Sequence, residues 1–502
     1  MKSVSETFNS GGSHHEDESL TSHSECPAIS ARLLDLLPWG IGFFALIPTF
    51  VFSSYFSHNT IFAFIFSTFA LLFFLGGSWR FIALSQTLDP TRFETVSRRN
   101  LPKYTVIVAL YDEAHMVPQL LKALKALNYP REKLEIFLAV ENHDHATNLV
   151  ISTAKMPHHI SRIVVNAGHP QTKPRALNAA LYHATGRYVV VYDAEDLPHP
   201  DQLRAAAARF QQQPDLVCLQ APLIAKGQSW LARQFCAEYA ALFQVLNPAS
   251  TRLGLPFALG GTSNHLCRET LRLLGGWDSW NVTEDADLGL RLGRFGCKTA
   301  MLHGYPTYET APERLAQWIP QRARWLKGFI QTLALHLNPV IWRRVKAKSA
   351  DSRFWLSLTV SLTLPVISAA LYAPASLLIL ARLFEALIRR TPPEIPLEAW
   401  GLLVWGWLSG SASIVMGLKR AGQPSPRLGD LLSLPVYWCL KTPAFALACW
   451  QLMFRPYHWN KTEHEPFIDL PTMIEAVRDP EHVTITQPRK QTGRRRKAAV
   501  SG

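Results

Sequence analysis

Two apolar stretches near the amino terminus constrain the fold of this 502-residue chain more than any other feature. Residues 34–56 and 61–84 are mostly apolar and carry no charge near their middle. About 20 such residues in a helix are enough to cross the hydrocarbon core of a bilayer. The alternative, two buried helices of a soluble protein, is disfavoured because the two stretches follow each other directly. We therefore predict two transmembrane helices within residues 31–90.

The overall composition agrees with a membrane protein, since 48% of the residues are hydrophobic and 18% are charged. The net charge of +13 is concentrated in four basic clusters, at residues 98–99, 322–327, 343–348 and 494–497. Basic clusters beside apolar spans are typical of the cytoplasmic face and of contact with anionic lipid. No recognised nucleic-acid-binding motif accompanies the charge, so we do not expect a nucleic-acid partner. The seven cysteines form no CxxC pair and indicate neither zinc nor disulfides.

Between residues 100 and 335 the sequence pattern changes. Short apolar runs alternate with amphipathic stretches, which predicts βαβ units and a mostly parallel sheet. If the chain starts in the cytoplasm, two crossings return this α/β domain to the cytoplasm.

The remaining segments are predicted from composition alone. Within the carboxyl-terminal spans, Lys441 and Pro443 interrupt residues 431–454, so we expect a broken or re-entrant segment there. The number of carboxyl-terminal crossings stays open. The predicted segments are a disordered tail (1–30), a basic interfacial segment (336–353), transmembrane helices (354–455) and a basic polar tail (456–502).

An acidic turn follows one of the predicted strands. The run from Tyr188 to Tyr192 is β-branched and apolar, and Asp193, Glu195 and Asp196 come directly after it. Carboxylates this close repel one another unless a cation lies among them, and oxygen ligands suit Mg²⁺ or Mn²⁺. Ligands of open α/β sheets bind beyond the carboxyl ends of the strands. Asp193 and Glu195 are therefore candidate metal ligands, with a solvated acidic turn as the alternative.

Other polar residues are predicted to reach the same edge of the sheet. Tyr111 and Glu113 follow one strand and Glu141 follows the next, so a base could stack on the tyrosine and a ribose could donate to the carboxylates. Lys173 opens a helix, where a cation beside free N–H groups suits a diphosphate. Exposed turns and a solvated helix face are the alternatives for these residues.

Two later motifs complete the set. Glu284 precedes Asp285, which begins a predicted helix, and a carboxylate there could act as a general base or cap the helix. Gln321, Arg324 and Trp325 precede an apolar span, where the tryptophan could stack on a sugar and the arginine reach a phosphate. An interfacial anchor is the alternative for the latter group.

Taken in order, the motifs Asp193-Ala-Glu195, Thr283-Glu-Asp285 and Gln321-x-x-Arg324-Trp325 resemble the membrane-embedded family 2 glycosyltransferases. This family includes the synthases of cellulose, hyaluronan and poly-N-acetylglucosamine. The resemblance covers about residues 100–335 and implies an α/β, GT-A type (Rossmann-like) nucleotide-sugar-binding domain inserted between transmembrane helices. The acidic turn and the segment at residues 459–464 look closest to a bacterial subgroup that includes the inner-membrane component of the phage N4 adsorption system.

The resemblance also implies roles for individual residues. It implies a Mg²⁺ or Mn²⁺ cofactor, an acceptor-facing Thr262 and Asp285 as the catalytic base. The implied groups are donor-binding residues (Tyr111, Glu113, Glu141, Lys173, Asp193), metal ligands (Asp193, Glu195), and catalytic or acceptor residues (Asp285, Glu284, Gln321, Arg324, Trp325).

The implied activity is inverting transfer from a nucleotide sugar, with UDP as the expected nucleotide, to a growing polysaccharide. We expect the transfer to be processive and coupled to export, with the enzyme in the bacterial inner membrane and its domain in the cytosol. The expected partners are the donor, a polysaccharide or lipid acceptor, membrane lipid and export proteins. Two alternatives stay open, a lipid-linked single-sugar transferase and an inactive membrane receptor or assembly component.

Overall fold

The structure, a computed structural model, describes residues 29–55, 60–86, 96–344, 351–393, 395 and 397–459. The predictions for most of the two tails, including residues 460–464 and the basic cluster at 494–497, lie outside the described residues.

The described residues form ten strands and nineteen α-helices, with three short 3₁₀ turns and two π-helical turns. The strands are β1 (Tyr104–Leu110), β2 (Leu134–Glu141), β3 (Ile160–Val165), β4 (Tyr188–Tyr192), β5 (Leu197–Pro198), β6 (Leu216–Gln220), β7 (Leu223–Lys226), β8 (Asn264–Cys267), β9 (Lys298–Met301) and β10 (Thr307–Thr310).

The helices are α1 (Leu37–Phe44), α2 (Leu46–Tyr55), α3 (Thr60–Ser85), α4 (Val117–Lys125), α5 (His145–Thr153), α6 (Lys173–His183), α7 (Gln202–Gln212), α8 (Trp230–Ala241), α9 (Asn247–Arg252), α10 (Arg268–Leu273), α11 (Glu284–Arg294), α12 (Leu315–Leu337), α13 (Pro339–Arg344), α14 (Ser352–Leu358), α15 (Leu364–Arg389), α16 (Leu397–Arg420), α17 (Leu428–Leu432), α18 (Leu434–Cys439) and α19 (Lys441–Phe454).

A seven-stranded sheet forms the centre of the α/β domain, in the order β3-β2-β1-β4-β8-β6-β9. Its pairs are parallel except around β8, which runs antiparallel to both β4 and β6. The prediction of an α/β domain with a mostly parallel sheet is confirmed. All five residues of β4 are buried, as expected for a strand that is apolar along its whole length. Since β1 and β4 are parallel neighbours, the residues after Leu110 and after Tyr192 reach the same edge of the sheet.

A second, three-stranded sheet was not predicted. Its order is β5-β10-β7, and its strands are only two to four residues long. Strand β5 begins directly after the acidic turn, where Leu197 pairs with Tyr308. This sheet therefore fixes the carboxyl-terminal side of the turn.

The sheet is covered on both faces. On one face α4 and α7 contribute Leu120 and Leu203 to a core with the strand residue Val190. On the other face, Leu177 of α6 belongs to a core that continues through α12 to Phe445 of α19. The α/β domain and the apolar helices thus share one hydrophobic core, which fixes the domain against them.

Three helical segments among the described residues are long and apolar enough to cross a membrane, namely Ser67–Ser85, Ser352–Arg389 and Trp400–Arg420. The stretch predicted as the first span instead holds a shorter apolar helical segment, Leu37–Ser53. The last predicted span is broken into α17, α18 and α19, as the interruption at Lys441 indicated. Lys441 begins α19 and pairs with Glu238 of α8 at 2.7 Å.

Candidate active site

The turn after β1 presents Tyr111 to solvent. The next residue, Asp112, adopts a φ of 53°, and its backbone N–H donates to the Asp144 carboxylate at 2.5 Å. The Glu113 N–H donates to the Thr147 hydroxyl at 3.1 Å, so the start of α5 holds this turn. Tyr111 remains 43% exposed beside His143, with 5.7 Å between ring centroids. An exposed ring on a fixed turn is suited to stacking on a planar ligand.

Glu141, at the end of β2, is engaged by an arginine that was not predicted. Both of its carboxylate oxygens accept from Arg175, at 2.9 and 2.7 Å. Burial raises the pKa of Glu141, and the Arg175 charge offsets part of this rise. The proposed contact of Glu141 with a nucleoside therefore includes Arg175, which lies two positions after Lys173.

Lys173 joins the acidic turn to the segment before β8. Its ammonium group donates to the Asp193 carboxylate and, at 2.8 Å, to the Gly261 carbonyl. Asp196 accepts from the Asp193 N–H at 2.7 Å and from the Thr262 hydroxyl. The acidic turn and the Gly-Gly-Thr segment therefore form one connected unit.

The acids of the turn are suited to a divalent cation. Burial, together with the charges of Asp193 and Glu195, raises the pKa of Asp196 well above its usual value. Asp196 Oδ1 is buried and has no hydrogen-bond partner among the described residues. No group of three or more His, Cys, Asp or Glu side chains with metal-binding geometry occurs in the described part of the chain. The adjacent carboxylates of Asp193 and Glu195 offer hard oxygen ligands that fit a divalent cation, with other oxygen ligands from outside the chain.

The start of α11 brings the candidate base to the same place. A Cβ atom at Gly261 would lie 3.5 Å from Asp285 Oδ2 and 3.9 Å from both Asp193 Oδ2 and Lys173 Nζ. These three groups therefore surround one point, although they come from three distant parts of the sequence.

Two coupled carboxyl groups open α11. Burial raises the pKa of Asp285, and hydrogen bonding by the Ala286 N–H and the charges of Lys173 and Arg324 partly counter the rise. Burial and the Asp285 charge raise the pKa of Glu284 to about 8. Of this pair, Asp285 is the one exposed toward Gly261, while Glu284 is buried. The arrangement leaves Asp285 as the carboxylate able to accept a proton from a ligand.

The loop before α11, residues 275–283, is here called the base loop. It is held in place by α6, the helix that carries Lys173. Asn178 donates to the Trp277 carbonyl at 2.7 Å and accepts from the Trp277 N–H at 3.0 Å. The Thr172 hydroxyl donates to the Ser279 carbonyl at 2.9 Å. Gly276, with a φ of 70°, has no room for a side chain, because a Cβ would lie 2.3 Å from Asn178 Oδ1. These contacts fix the positions of α6 and the base loop relative to each other.

Both ends of the described chain pack on this base loop. Asp278 is fully buried and accepts from the Ser30 hydroxyl and the Ala31 N–H, each at 2.7 Å. From the other end, the Tyr457 ring contacts the Trp280 ring, with 4.8 Å between centroids. Neither contact was predicted from the sequence.

Helix α12 carries Gln321, Arg324 and Trp325 in one continuous 23-residue helix. Arg324 reaches the Val282 carbonyl at 3.5 Å, three residues before Asp285, and its guanidinium lies over the Trp459 ring. Trp325 stacks on Tyr239 with 6.1 Å between ring centroids, and the Arg322 guanidinium lies 4.5 Å from the Trp325 ring centroid. Gln321 Oε1 is buried without a hydrogen-bond partner among the described residues.

Two of the predicted groups of site residues, the motif on α12 and the carboxyl groups at the start of α11, interact electrostatically. Arg324 influences the pKa of both Glu284 and Asp285, so the motif on α12 adjoins the candidate base. Arg175, Asn178 and Asp278 are the additional residues that sequence reasoning missed.

Comparison with known proteins shows that the α/β domain is similar to glycosyltransferases. Residues 102–328 match the family model described as "Glycosyltransferase like family 2". The "Probable glycosyltransferase YdaM" of Bacillus subtilis is 25% identical over 248 residues, 46% of this chain and 56% of its own length. The "Beta-monoglucosyldiacylglycerol synthase" of a Synechocystis strain is 26% identical over 72% of this chain and 75% of its own length.

A solved structure has the same fold. "Mannosyltransferase PcManGT from Pyrobaculum calidifontis in complex with GDP-Man and Mn2+" aligns with a TM-score of 0.52 and 19% identity. The alignment covers 82% of this chain and 99% of that one. The match to the Bacillus protein, by contrast, spans little more than half of that relative. Residues 102–328 therefore match a family 2 glycosyltransferase domain, which supports a transferase enzyme, and the chain has a GT-A type α/β fold.

Proposed function

We propose that this protein is a membrane-bound inverting glycosyltransferase that moves a sugar from a nucleotide sugar, UDP being the first candidate, to a growing polysaccharide. One observation carries the proposal: Lys173, Asp193 and Asp285 surround the same point beside Gly261. A cation for the donor diphosphate and a carboxylate for the acceptor hydroxyl are thus close enough to serve a single transfer.

In this mechanism Asp285 accepts the proton of the acceptor hydroxyl as its oxygen attacks the anomeric carbon. The diphosphate leaves from the opposite face, which inverts the configuration. A raised pKa makes Asp285 a stronger base, and this favours proton transfer.

The leaving diphosphate is stabilised by positive charge. Lys173 supplies a cation already fixed by Asp193 and by the Gly261 carbonyl. A divalent cation bound by Asp193 and Glu195 would supply further electrostatic stabilisation of the diphosphate.

The nucleoside is proposed to bind at the ends of β1 and β2. Its base stacks on the exposed Tyr111 ring, and Glu113 lies on the same turn. Glu141, fixed by Arg175, lies at the end of the adjacent strand.

Processivity and export are proposed from the position of α12. This helix shares a hydrophobic core with the apolar helices and carries Arg324 beside the base loop. Trp325 is the candidate platform for the acceptor sugar. A product held there could pass between the three candidate membrane spans, with the domain on the cytosolic side of a bacterial inner membrane. The similarity of the acidic turn to the phage N4 adsorption subgroup is part of this proposal.

A second candidate is transfer of one sugar to a lipid acceptor. It is favoured by the name of the Synechocystis relative, whose match covers 72% of this chain and extends beyond the transferase domain. Both candidates use the same donor site and base.

The test is to give membranes containing the protein a panel of labelled nucleotide sugars with Mg²⁺ or Mn²⁺ and to size the products. Long products support the polysaccharide synthase, and single-sugar lipids support the second candidate. Membranes containing the Asp285→Asn variant provide the background. Failure of the purified protein to bind or consume any common nucleotide sugar would contradict both candidates and favour an inactive receptor component.

A further inference from the structure

Two cationic side chains contact one carboxylate where the transferase domain joins the apolar helices, and a third interacts electrostatically with that carboxylate. Glu238 of α8 accepts from Arg322 of α12 at 2.8 Å, from Lys441 of α19 at 2.7 Å and from the Tyr437 hydroxyl at 2.7 Å. The third cation, Arg80, lies on α3 within the candidate span Ser67–Ser85. It interacts electrostatically with Glu238 and with Lys441.

The charges of this cluster do not balance. Burial raises the pKa of Glu238, but Arg322 and Lys441 outweigh burial and lower it to about 2, so Glu238 carries one negative charge. Arg322 and Lys441 share that single charge, and among the described residues Arg80 forms neither an ion pair nor a hydrogen bond. Arg322 Nε is also buried without a hydrogen-bond partner in this part of the chain. The cluster therefore has two positive charges in excess.

Such an excess is costly in a region that the proposed membrane location would shield from water. Unpaired charges are strongly destabilised when they leave water, and those within membrane-spanning segments generally pair or mark a ligand site. Guanidinium and ammonium groups together suit a phosphate, which offers several acceptor oxygens. The apolar helices on which Arg80 and Lys441 lie suit a ligand with hydrocarbon chains.

We propose that Arg80, Arg322 and Lys441 bind the phosphate group of an anionic membrane lipid. The inference rests on the membrane location proposed above and is independent of the sugar donor. Because Arg322 also lies over the Trp325 ring, the bound phosphate would contact the helix that carries the candidate acceptor residues.

The experiment measures lipid binding to the purified full-length protein in a neutral detergent by native mass spectrometry. The probes are phosphatidylglycerol, diacylglycerol, which lacks the phosphate, and soluble glycerol phosphate. Wild-type protein is expected to retain phosphatidylglycerol and not diacylglycerol. Competition by glycerol phosphate would show that the phosphate group alone is sufficient, and its failure to compete would show that the acyl chains are also required.

Arg80→Gln is the decisive variant, because it removes a cation without breaking an ion pair among the described residues. We expect it to weaken phosphatidylglycerol binding about tenfold or more, and Arg80→Lys to retain most of it. The matched control is Arg389→Gln, which removes an exposed arginine paired with Glu385 at the end of α15.

Equal retention of phosphatidylglycerol and diacylglycerol by the wild-type protein would overturn the inference, even if Arg80→Gln failed to fold. Wild-type affinity in a folded Arg80→Gln variant would do the same. Sugar transfer, measured on the same samples, reports separately on the proposed function.

Discussion

Asp196 accepts a hydrogen bond of 2.7 Å from the backbone N–H of Asp193, so these two acids of the turn have different structural roles. Asp193 faces Lys173 and the point near Asp285, whereas Asp196 is 1% exposed and holds the turn from the protein interior. The side chain that supports the turn is thus separate from the side chains that face the ligand.

This relationship predicts a difference between two variants of Asp196. Asp196→Asn keeps an acceptor oxygen for the Asp193 N–H and should retain most of the transfer activity. Asp196→Ala leaves that buried N–H without its acceptor and should destabilise the protein by about 1–3 kcal/mol, with a loss of activity. Thermal unfolding and transfer rates check both variants. An inactive but stable Asp196→Asn would show that the charge of Asp196, and not its hydrogen bond, is required.

Replacement of Asp285 by Asn should remove the base without disturbing the fold. The asparagine cannot accept the proton of the acceptor hydroxyl, so we expect transfer to fall by ~10²–10⁴-fold. Nucleotide binding, measured by calorimetry, should stay unchanged because the donor site lies on other elements. Asp215→Asn, which alters an exposed ion pair with Lys298, is the control. Turnover at the wild-type rate would exclude Asp285 as the base.

A methyl group at Gly261 should obstruct the site from within. Its nearest neighbour would be Asp285 Oδ2 at 3.5 Å, an ordinary contact, so Gly261→Ala should fold normally. The methyl would nevertheless occupy the point between the candidate base and Lys173, and we expect transfer to fall by up to about 10²-fold. Gly429→Ala, where a Cβ meets nothing within 4 Å, is the matched control. Equal transfer rates for Gly261→Ala and Gly429→Ala would show that the reaction does not take place beside Gly261.

The pKa of Glu284 predicts how stability depends on pH. Burial and the Asp285 charge raise this pKa from 4.5 to about 8. Between these two pH values the folded state keeps a proton that the unfolded state has already released. The resulting stabilisation is fully present below about pH 4.5 and is lost as the pH rises through about 8. Over this window the free energy of unfolding should fall by up to about 1.4 kcal/mol per pH unit.

Glu284→Gln should flatten that pH dependence, which thermal unfolding between pH 5 and pH 9 would measure. The exposed Glu269→Gln variant should follow the wild-type curve. Parallel curves for Glu284→Gln and the wild type would mean that this carboxyl is already ionised in the folded protein.

Removal of divalent cations should stop transfer. The adjacent acids Asp193 and Glu195, whose charges both raise the pKa of Asp196, favour a cation, which would stabilise the leaving diphosphate. We expect activity to disappear in chelator and to return on addition of Mg²⁺ or Mn²⁺, with Glu195→Gln requiring a higher metal concentration. Undiminished turnover in chelator would refute the assignment of these ligands.

Features that depend on a local sequence pattern could be predicted from the sequence alone. The apolar run of β4 followed directly by Asp193 predicted both a buried strand and acids at its end, and the structure has both. A helix was likewise expected to begin at Asp285, and α11 begins one residue earlier, at Glu284.

Features that depend on distant pairing were not predictable. Arg175 meets Glu141 across 34 positions, Lys441 meets Glu238 across 203, and Ser30 meets Asp278 across 248. No local periodicity indicates such partners. The second sheet was missed for a different reason, since strands of two to four residues are too short for an alternating pattern to be recognised.

The contacts of Ser30 and Tyr457 with the loop before Asp285 have a consequence for biosynthesis. A ribosome makes Ser30 first and Tyr457 more than four hundred residues later, so the sheet and the donor site are complete well before the second contact exists. We expect a nascent chain to bind nucleotide sugar before it can consume it, with the first turnover delayed until α19 and Tyr457 have been translated and packed.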